Sequence, residues 1–297
     1  MKTKKGLLGL MIVASAAVFF TQSCSKDDGG SISDIDLALA QDEAYVDALY
    51  EEIDNMVVSE IATLDDNDYS NTALKSTAED ICYTITVDHP DSTSFPKEVT
   101  IDFGDGCSIV FNGDTITRSG QVIVTITNRW FMPEAQHIIT FNNFYFNGVK
   151  IEGTRTITNL GLNERNHLEL GIVLQDGKAT YGEVWMTREA NHVREWARHR
   201  NPLNDTIFIT GSANGINVMG ETYSREITEQ LVLVRCEQYQ YRWVIAGGKV
   251  EITNSARGNT TIDYTGSGCS GNVVVNKDGN QYSYRFKYHN RNNRGGN

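Results

Sequence analysis

Five cysteines and six histidines are the side chains of this 297-residue chain best able to do chemistry, and their spacing sorts them. Cys24 stands apart. Lys2, Lys4 and Lys5 open the chain, Gly6 to Phe20 is an apolar run of fifteen residues, and Thr21-Gln22-Ser23 lead into the cysteine. Fifteen residues are too few to cross about 30 Å of hydrocarbon, so the run reads as a secretory signal rather than a span. Cys24 is then the residue left at the new N-terminus, and its thiol is the expected acceptor of an acyl lipid such as palmitate. Cys82, Cys107, Cys236 and Cys269 form an even set in an exported chain and point to disulfides, with three connectivities open.

Catalytic patterns are missing from the sequence. No two histidines stand two to four residues apart, and His192 and His199, seven apart, would face opposite sides of a strand. Gly-x-Ser-x-Gly does not occur, and Gly266-Ser267-Gly268 reads as a hinge. Asp65-Asp66-Asn67-Asp68 spaces its oxygens as a calcium loop would, but it lacks the Gly and the distal Glu of an EF-hand and reads as a solvated linker. The expectation is therefore no catalytic residue, no metal and no cofactor. Recognition remains. Trp130, Trp185 and Trp196, with Phe131 and Tyr181, are candidate binding aromatics, because exposed rings beside Arg and Asn suit a glycan or a peptide. The stretch from Trp185 to Arg200 is expected to be a long strand with Arg and Glu on its wet face and Trp packed beneath.

The formal charge of −12 is unevenly spread. Residues 25–70 hold fourteen Asp or Glu against the single Lys26, whereas residues 71–297 hold 24 acids against 22 bases. An acidic leader on a nearly neutral body argues against nucleic acid as a partner, since its phosphates would repel it. From about Asp36 to Ile61, Tyr45, Leu49, Ile53, Met56 and Val57 recur at helical steps, with Asp47, Glu51, Glu52 and Asp54 expected on the opposite side. That stripe must dock on the body or on another protein. After Ile81 the period becomes two, and Asn112-Gly113, Asn147-Gly148, Asp176-Gly177, Gly247-Gly248 and Asp278-Gly279 punctuate it as hairpin turns. The expected fold is all-β: an antiparallel, sandwich-like meander preceded by one amphipathic helix. The expected divisions are a signal over 1–23, a tether over 24–36, an acidic helix and linker over 37–70, and a β body over 71–297.

The body carries an internal repeat. Thr100-Ile101-Asp102-Phe103-Gly104-Asp105-Gly106-Cys107 recurs as Thr261-Ile262-Asp263-Tyr264-Thr265-Gly266-Ser267-Gly268-Cys269, and an earlier cysteine, Cys82 or Cys236, precedes each copy. Duplication selects Cys82–Cys107 and Cys236–Cys269 over the other pairings, and divides the body into halves near 80–160 and 161–288. With no helix after either copy, the Asp and Gly residues read as structural rather than as a phosphate cradle.

The N-terminus resembles bacterial lipoprotein signals, with Ser23 at the cleavage edge and Cys24 as lipid acceptor, although Thr21 stands where that family most often has Leu. Lys26-Asp27-Asp28 looks like the acidic tag that sends such proteins of the Bacteroidota to the outer face of the outer membrane. The body resembles a family of uncharacterised Bacteroidota lipoproteins in Cys82, Phe95-Pro96, Ile101 to Gly104, Cys107, Glu152-Gly153-Thr154, Thr158-Asn159, Arg194-Glu195-Trp196, Ile209-Thr210-Gly211 and Asp263 to Cys269, with Thr265 as an extra residue. That resemblance implies an address and no activity. The expectation is a protein anchored to the membrane by its N-terminal lipid at the cell surface, serving as a non-enzymatic binding module for a glycan or protein ligand. The alternatives are a periplasm-facing assembly factor that docks a partner through the acidic helix and, less favoured, a hydrolase.

Overall fold

The computed structural model describes residues 33–66, 82–88, 94–111, 114–237, 242–265 and 268–285. Helix α1 (Asp34–Asp66) starts where Ser33 accepts the Asp36 N–H and donates its hydroxyl to the Asp36 carboxylate, which caps the first turn. It begins two residues before the expected start and runs through Asp65 and Asp66, where the sequence predicts a linker.

Among the described residues fourteen strands follow: β1 (Thr84–Val87), β2 (Lys97–Asp102), β3 (Cys107–Phe111), β4 (Asp114–Ile126), β5 (Gln136–Phe146), β6 (Val149–Leu162), β7 (Leu168–Tyr181), β8 (Val184–Ala197), β9 (Thr206–Ile216), β10 (Thr222–Cys236), β11 (Arg242–Asn254), β12 (Gly258–Asp263), β13 (Asn272–Lys277) and β14 (Asn280–Arg285). They form one antiparallel sheet in chain order, except that β3 pairs only with β4 and leaves β2 beside β4. The body is thus the meander that the alternating pattern predicts. The expected division at 160/161 falls inside β6, and the sheet runs through it unbroken.

Two of the five expected turns join neighbouring strands as hairpins: Asn147-Gly148 between β5 and β6, and Asp278-Gly279 between β13 and β14, all four residues at positive φ. Two others do not turn the chain. Asp176-Gly177 and Gly247-Gly248 sit inside β7 and β11, where the register shifts. A Cβ on Gly177 would lie 2.4 Å from the Arg188 carbonyl oxygen, and one on Gly248 would lie 2.4 Å from that of Gln230. Positive-φ residues serve a bulge as well as a turn, and here they bend long strands with the neighbouring backbone pressed close. Asn112-Gly113 lies outside the described residues.

The bends matter because the sheet curls around α1. Asp36 meets Arg257 and Lys277 beside β12 and β13; Glu43 and Asp47 meet β8 and β10; Asp54 meets β6; Glu60 accepts the Tyr83 hydroxyl just before β1. Between Asp36 and Glu60 the helix advances about 36 Å. The strands it passes would cover about 50 Å if flat. Inward side chains therefore meet the helix from several sides, and Tyr50, Ile53, Val57, Ile101, Val124, Ile139 and Val250 are fully buried. Because turns alternate, the sheet has two rims. The near rim, where α1 begins, carries the β5–β6, β7–β8, β9–β10, β11–β12 and β13–β14 turns. The far rim carries the β4–β5, β6–β7, β8–β9, β10–β11 and β12–β13 connections.

Both expected disulfides form, Cys82–Cys107 and Cys236–Cys269, with Cα atoms 5.3 and 5.7 Å apart. The repeat is structural in both copies. Asp102 accepts the Gly104 N–H at 2.8 Å, Asp263 accepts that of Thr265 at 2.7 Å, and Phe103 and Tyr264 are buried at matching positions. Each crosslink closes a loop of some two to three dozen residues, so replacing either pair by serine should lower the unfolding free energy by roughly 3–4 kcal/mol. Urea denaturation of the two double-serine variants measures this, and an unchanged midpoint in either would mean that its loop is already closed by other contacts.

Candidate functional site

The densest group of ionisable side chains lies inside the curl. Glu43, Asp47, Glu51 and Asp54 recur at four- and three-residue steps along one stripe of α1. Opposite them stand Arg155 on β6, Arg188 and Arg194 on β8, and Arg225 on β10. Arg155 grips Asp54 with two hydrogen bonds, 2.6 and 2.7 Å. Arg188 donates to Glu43 at 2.7 Å and also to Asp47, which Arg225 reaches at 2.7 Å; Arg194 donates to both oxygens of Glu51. The Asp54 side chain is 1% exposed, whereas Asp47 and Glu51 keep about a quarter of their surface.

This ladder reverses two expectations. The acids of α1 face the sheet as its apolar residues do, because the sheet curls around the helix and gives it more than one buried side. The Trp185–Arg200 stretch is inverted in its arginines and in Trp185, whereas Glu189 lies on the wet face and Trp196 packs against the core as expected. Met186, Arg188, Ala190, His192 and Arg194 turn inward, while Trp185, Glu189, Asn191 and Val193 face out. The arginines sit inside because carboxylates wait for them there.

Burial by itself would raise the Asp47 carboxyl, but Arg188 and Arg225 outweigh it and hold it below the ordinary range. At Glu43 and Glu51 burial prevails and the carboxyls go up. Burial pushes the His192 imidazole down to about 3, with Arg225 and Arg188 adding to the effect against Asp47. Every rung is an ion pair, although Glu43 Oε1, Arg194 Nε and Arg225 Nη1 have no hydrogen-bond partner among the described residues. Among the described residues no group of three or more His, Cys, Asp or Glu could hold a metal ion. Below the start of α1, a cavity bordered by Asp36, Glu43, Asn217, Tyr223 and Arg257 measures about 20 Å³, room for a water molecule and not for a substrate.

The three candidate tryptophans do not converge. Trp130 is in the β4–β5 loop at the far rim, half-buried and stacked on His137 with ring centroids 4.3 Å apart. Trp196, near the far end of β8, donates its indole N–H to Asp205 at 3.0 Å, and the Arg198 guanidinium covers its ring at 4.4 Å. Trp185 is at the near rim on the outer face, 41% exposed, with the Lys178 ammonium 5.2 Å from its ring centre. Cys24, Lys26, Asp27 and Asp28 lie outside the described residues.

At the far rim the exposed apolar surface comes from other residues. Phe131 is 72% exposed and Leu162 67%, with Met132 and Leu160 also out in solvent. The β4–β5 loop that bears Phe131 and Met132 is pinned to β6 by Asn159, which accepts the Glu134 N–H, donates its own N–H to Ala135, and donates its side-chain amide to the Trp130 carbonyl. Leu160 follows directly and lies over Gly171 of β7. Leu160, Met132 and Leu162 escaped sequence reasoning, because an exposed leucine at a strand end looks like any core residue. Asn159 was a legible hint, as the last residue of Thr158-Asn159. No family model, curated protein or solved structure matches this chain.

Two expectations follow. Asp54→Asn should cost about 3–5 kcal/mol of stability by leaving the buried Arg155 with only Glu51, 3.8 Å away, as a counter-charge, and Asp54→Leu combined with Arg155→Met should recover much of it. A double-mutant cycle in urea tests the pair, and strict additivity would remove Asp54–Arg155 as a coupled unit. The second concerns His137, fully enclosed, with neither ring nitrogen hydrogen-bonded among the described residues and its imidazole pushed down by burial to about 4. Once unfolded it titrates near 6.5, so below that pH protons bind the unfolded chain first. Stability is full above about pH 6.5 and falls until about pH 4, by about 3 kcal/mol for this one residue. His137→Leu should flatten that part of the curve relative to the parent protein; parallel curves would mean that His137 takes up a proton in the fold.

Proposed function

We propose that this chain is a lipid-anchored envelope protein, carried to the outer membrane surface by Cys24 and the Lys26-Asp27-Asp28 tag, that acts as a non-enzymatic interaction module. Its contact surface is the far rim and its ligand is a protein. The carrying observation is the apolar set Phe131, Met132, Leu160 and Leu162, left in solvent on a loop and strand end that backbone hydrogen bonds hold still. Rigid exposed apolar side chains cost little ordering on association and favour a partner with an apolar face.

A glycan ligand is less well served. Sugars stack on open aromatic faces, and the three tryptophans have theirs partly engaged by His137, Lys178 and Arg198. Docking of an assembly partner through the acidic helix is also less well served, because Glu43, Asp47, Glu51 and Asp54 are committed to the sheet's arginines. The resemblance of Ser23-Cys24 and of the body motifs to Bacteroidota lipoproteins supports the address.

Protease treatment of intact cells tests the address. The body should be degraded when Lys26-Asp27-Asp28 is intact and protected when all three are alanine; protection in both cases would return the protein to the periplasm. Parallel screens against arrayed glycans and purified host proteins test the ligand class. Protein hits should be lost in Phe131→Ser/Leu162→Ser, whereas glycan hits that need Trp185 would favour a carbohydrate instead.

A further inference from the structure

The near rim differs from the far rim in kind. Tyr145 at the end of β5, Tyr181 at the end of β7, Trp185 at the start of β8, Met219 in the β9–β10 turn and Ile35 at the start of α1 are all exposed. Tyr145 pairs with Lys150, Lys150 with Thr180, and Thr180 with Trp185, so tyrosine, lysine and tryptophan stand in one row across four strands of the outer face. Tyr181 reaches back toward the β5–β6 turn, its ring 3.5 Å from where a Gly148 Cβ would be. Indole and phenol rings with lysines whose stems lie along them form the side-chain set that settles at the boundary between headgroups and acyl chains. The Lys178 ammonium over the Trp185 ring is one such pair.

The route of the chain puts a bilayer beside this rim. Asp36 is held at the near rim by Arg257 of the β11–β12 turn and Lys277 at the end of β13. Eight residues lie between Cys24 and Ser33, so the nine Cα–Cα steps reach at most about 30 Å. The strands leading to the far rim are up to 14 or 15 residues long, about 45–50 Å, so an anchor at Cys24 cannot bring Phe131 and Leu162 to the membrane in an upright body.

We infer that the near rim is a membrane-contact surface: the body rests on the bilayer through Trp185, Tyr145 and Tyr181, with Lys150 and Lys178 at headgroup level. This rests on acylation of Cys24, and it makes the lipid one of two contacts rather than a loose leash. Such a stance fixes the direction of the far rim, away from the membrane.

The test uses the full-length protein extracted from the envelope and reconstituted in phosphatidylcholine vesicles whose acyl chains carry bromine, a short-range quencher of indole. Part of the tryptophan emission should be quenched; that part should disappear in Trp185→Phe and persist in Trp130→Phe. Vesicle-bound protein quenched equally with and without Trp185, or not at all, would overturn the proposal and leave the anchor standing. Quenching lost in Trp130→Phe instead would turn the body over. Flotation with the vesicles should fall sharply in Cys24→Ser. Protein that never floats would remove the anchor and the stance together.

Discussion

Four carboxylates on one helix and four guanidiniums on three strands hold this protein in its shape. Carrying Glu43, Asp47, Glu51 and Asp54 into the interior costs several kcal/mol for each charge, and the arginines must meet them at hydrogen-bond distance to offset it. An apolar stripe of the same size would bind the sheet about as tightly. It would not, however, fix where along its length the helix sits. Asp54 accepts two bonds from Arg155, and Arg188 spans Glu43 and Asp47, so a shift of one turn would leave buried charges unpaired on both sides. The ladder therefore sets the register of the helix within a sheet that could otherwise close on it at several positions.

A sheet that must present arginines from β6, β8 and β10 to one helix cannot stay flat. Bulges at Gly177 and Gly248, with others along β5, β6 and β10, bend the long strands. The short outer strands β1 and β14 offer little free edge for another chain to extend. The disulfides sit at opposite ends of this arrangement. Cys82–Cys107 lies toward the near rim beside the first strands, and Cys236–Cys269 joins two far-rim connections beside the last ones.

Much of this was legible in the residues. Period-two alternation, the Asn147-Gly148 and Asp278-Gly279 turns, the helical stripe from Tyr45 to Val57 and the duplicated Ile-Asp-aromatic motif predict an all-β meander, one helix and the correct disulfides. Two kinds of information were not. An Asx-Gly dipeptide such as Asp176-Gly177, with Asp176 at positive φ, is the same chemistry in a turn and in a bulge, and only the length of pairing on either side distinguishes them. Charged residues on a helix read as solvated because most are; their burial depends on arginines more than a hundred positions away, which no local pattern connects. The same blindness inverted the face of β8. Of the candidate tryptophans, only Trp185 presents much of its ring to solvent, and the apolar far rim depends on leucines and a methionine whose exposure is a property of strand ends.

With the interior filled by helix and ion pairs, the exposed apolar side chains gather at the two rims, which are chemically unlike. Tyrosine, tryptophan and lysine line the near one beside Met219 and Ile35, whereas Phe131, Met132, Leu160 and Leu162 cluster at the far one. Amphipathic rings with lysine tolerate a gradient from water to hydrocarbon, as at a bilayer boundary. Wholly apolar side chains gain most when a complementary surface takes them fully out of water, as in the centre of a protein interface. Antiparallel connectivity puts these chemistries at opposite ends of the same long strands, and α1 begins at the end that suits a membrane. On the reading we propose, the single curved sheet is a spacer that the helix inside it holds rigid, with both contact surfaces carried at the ends of its strands.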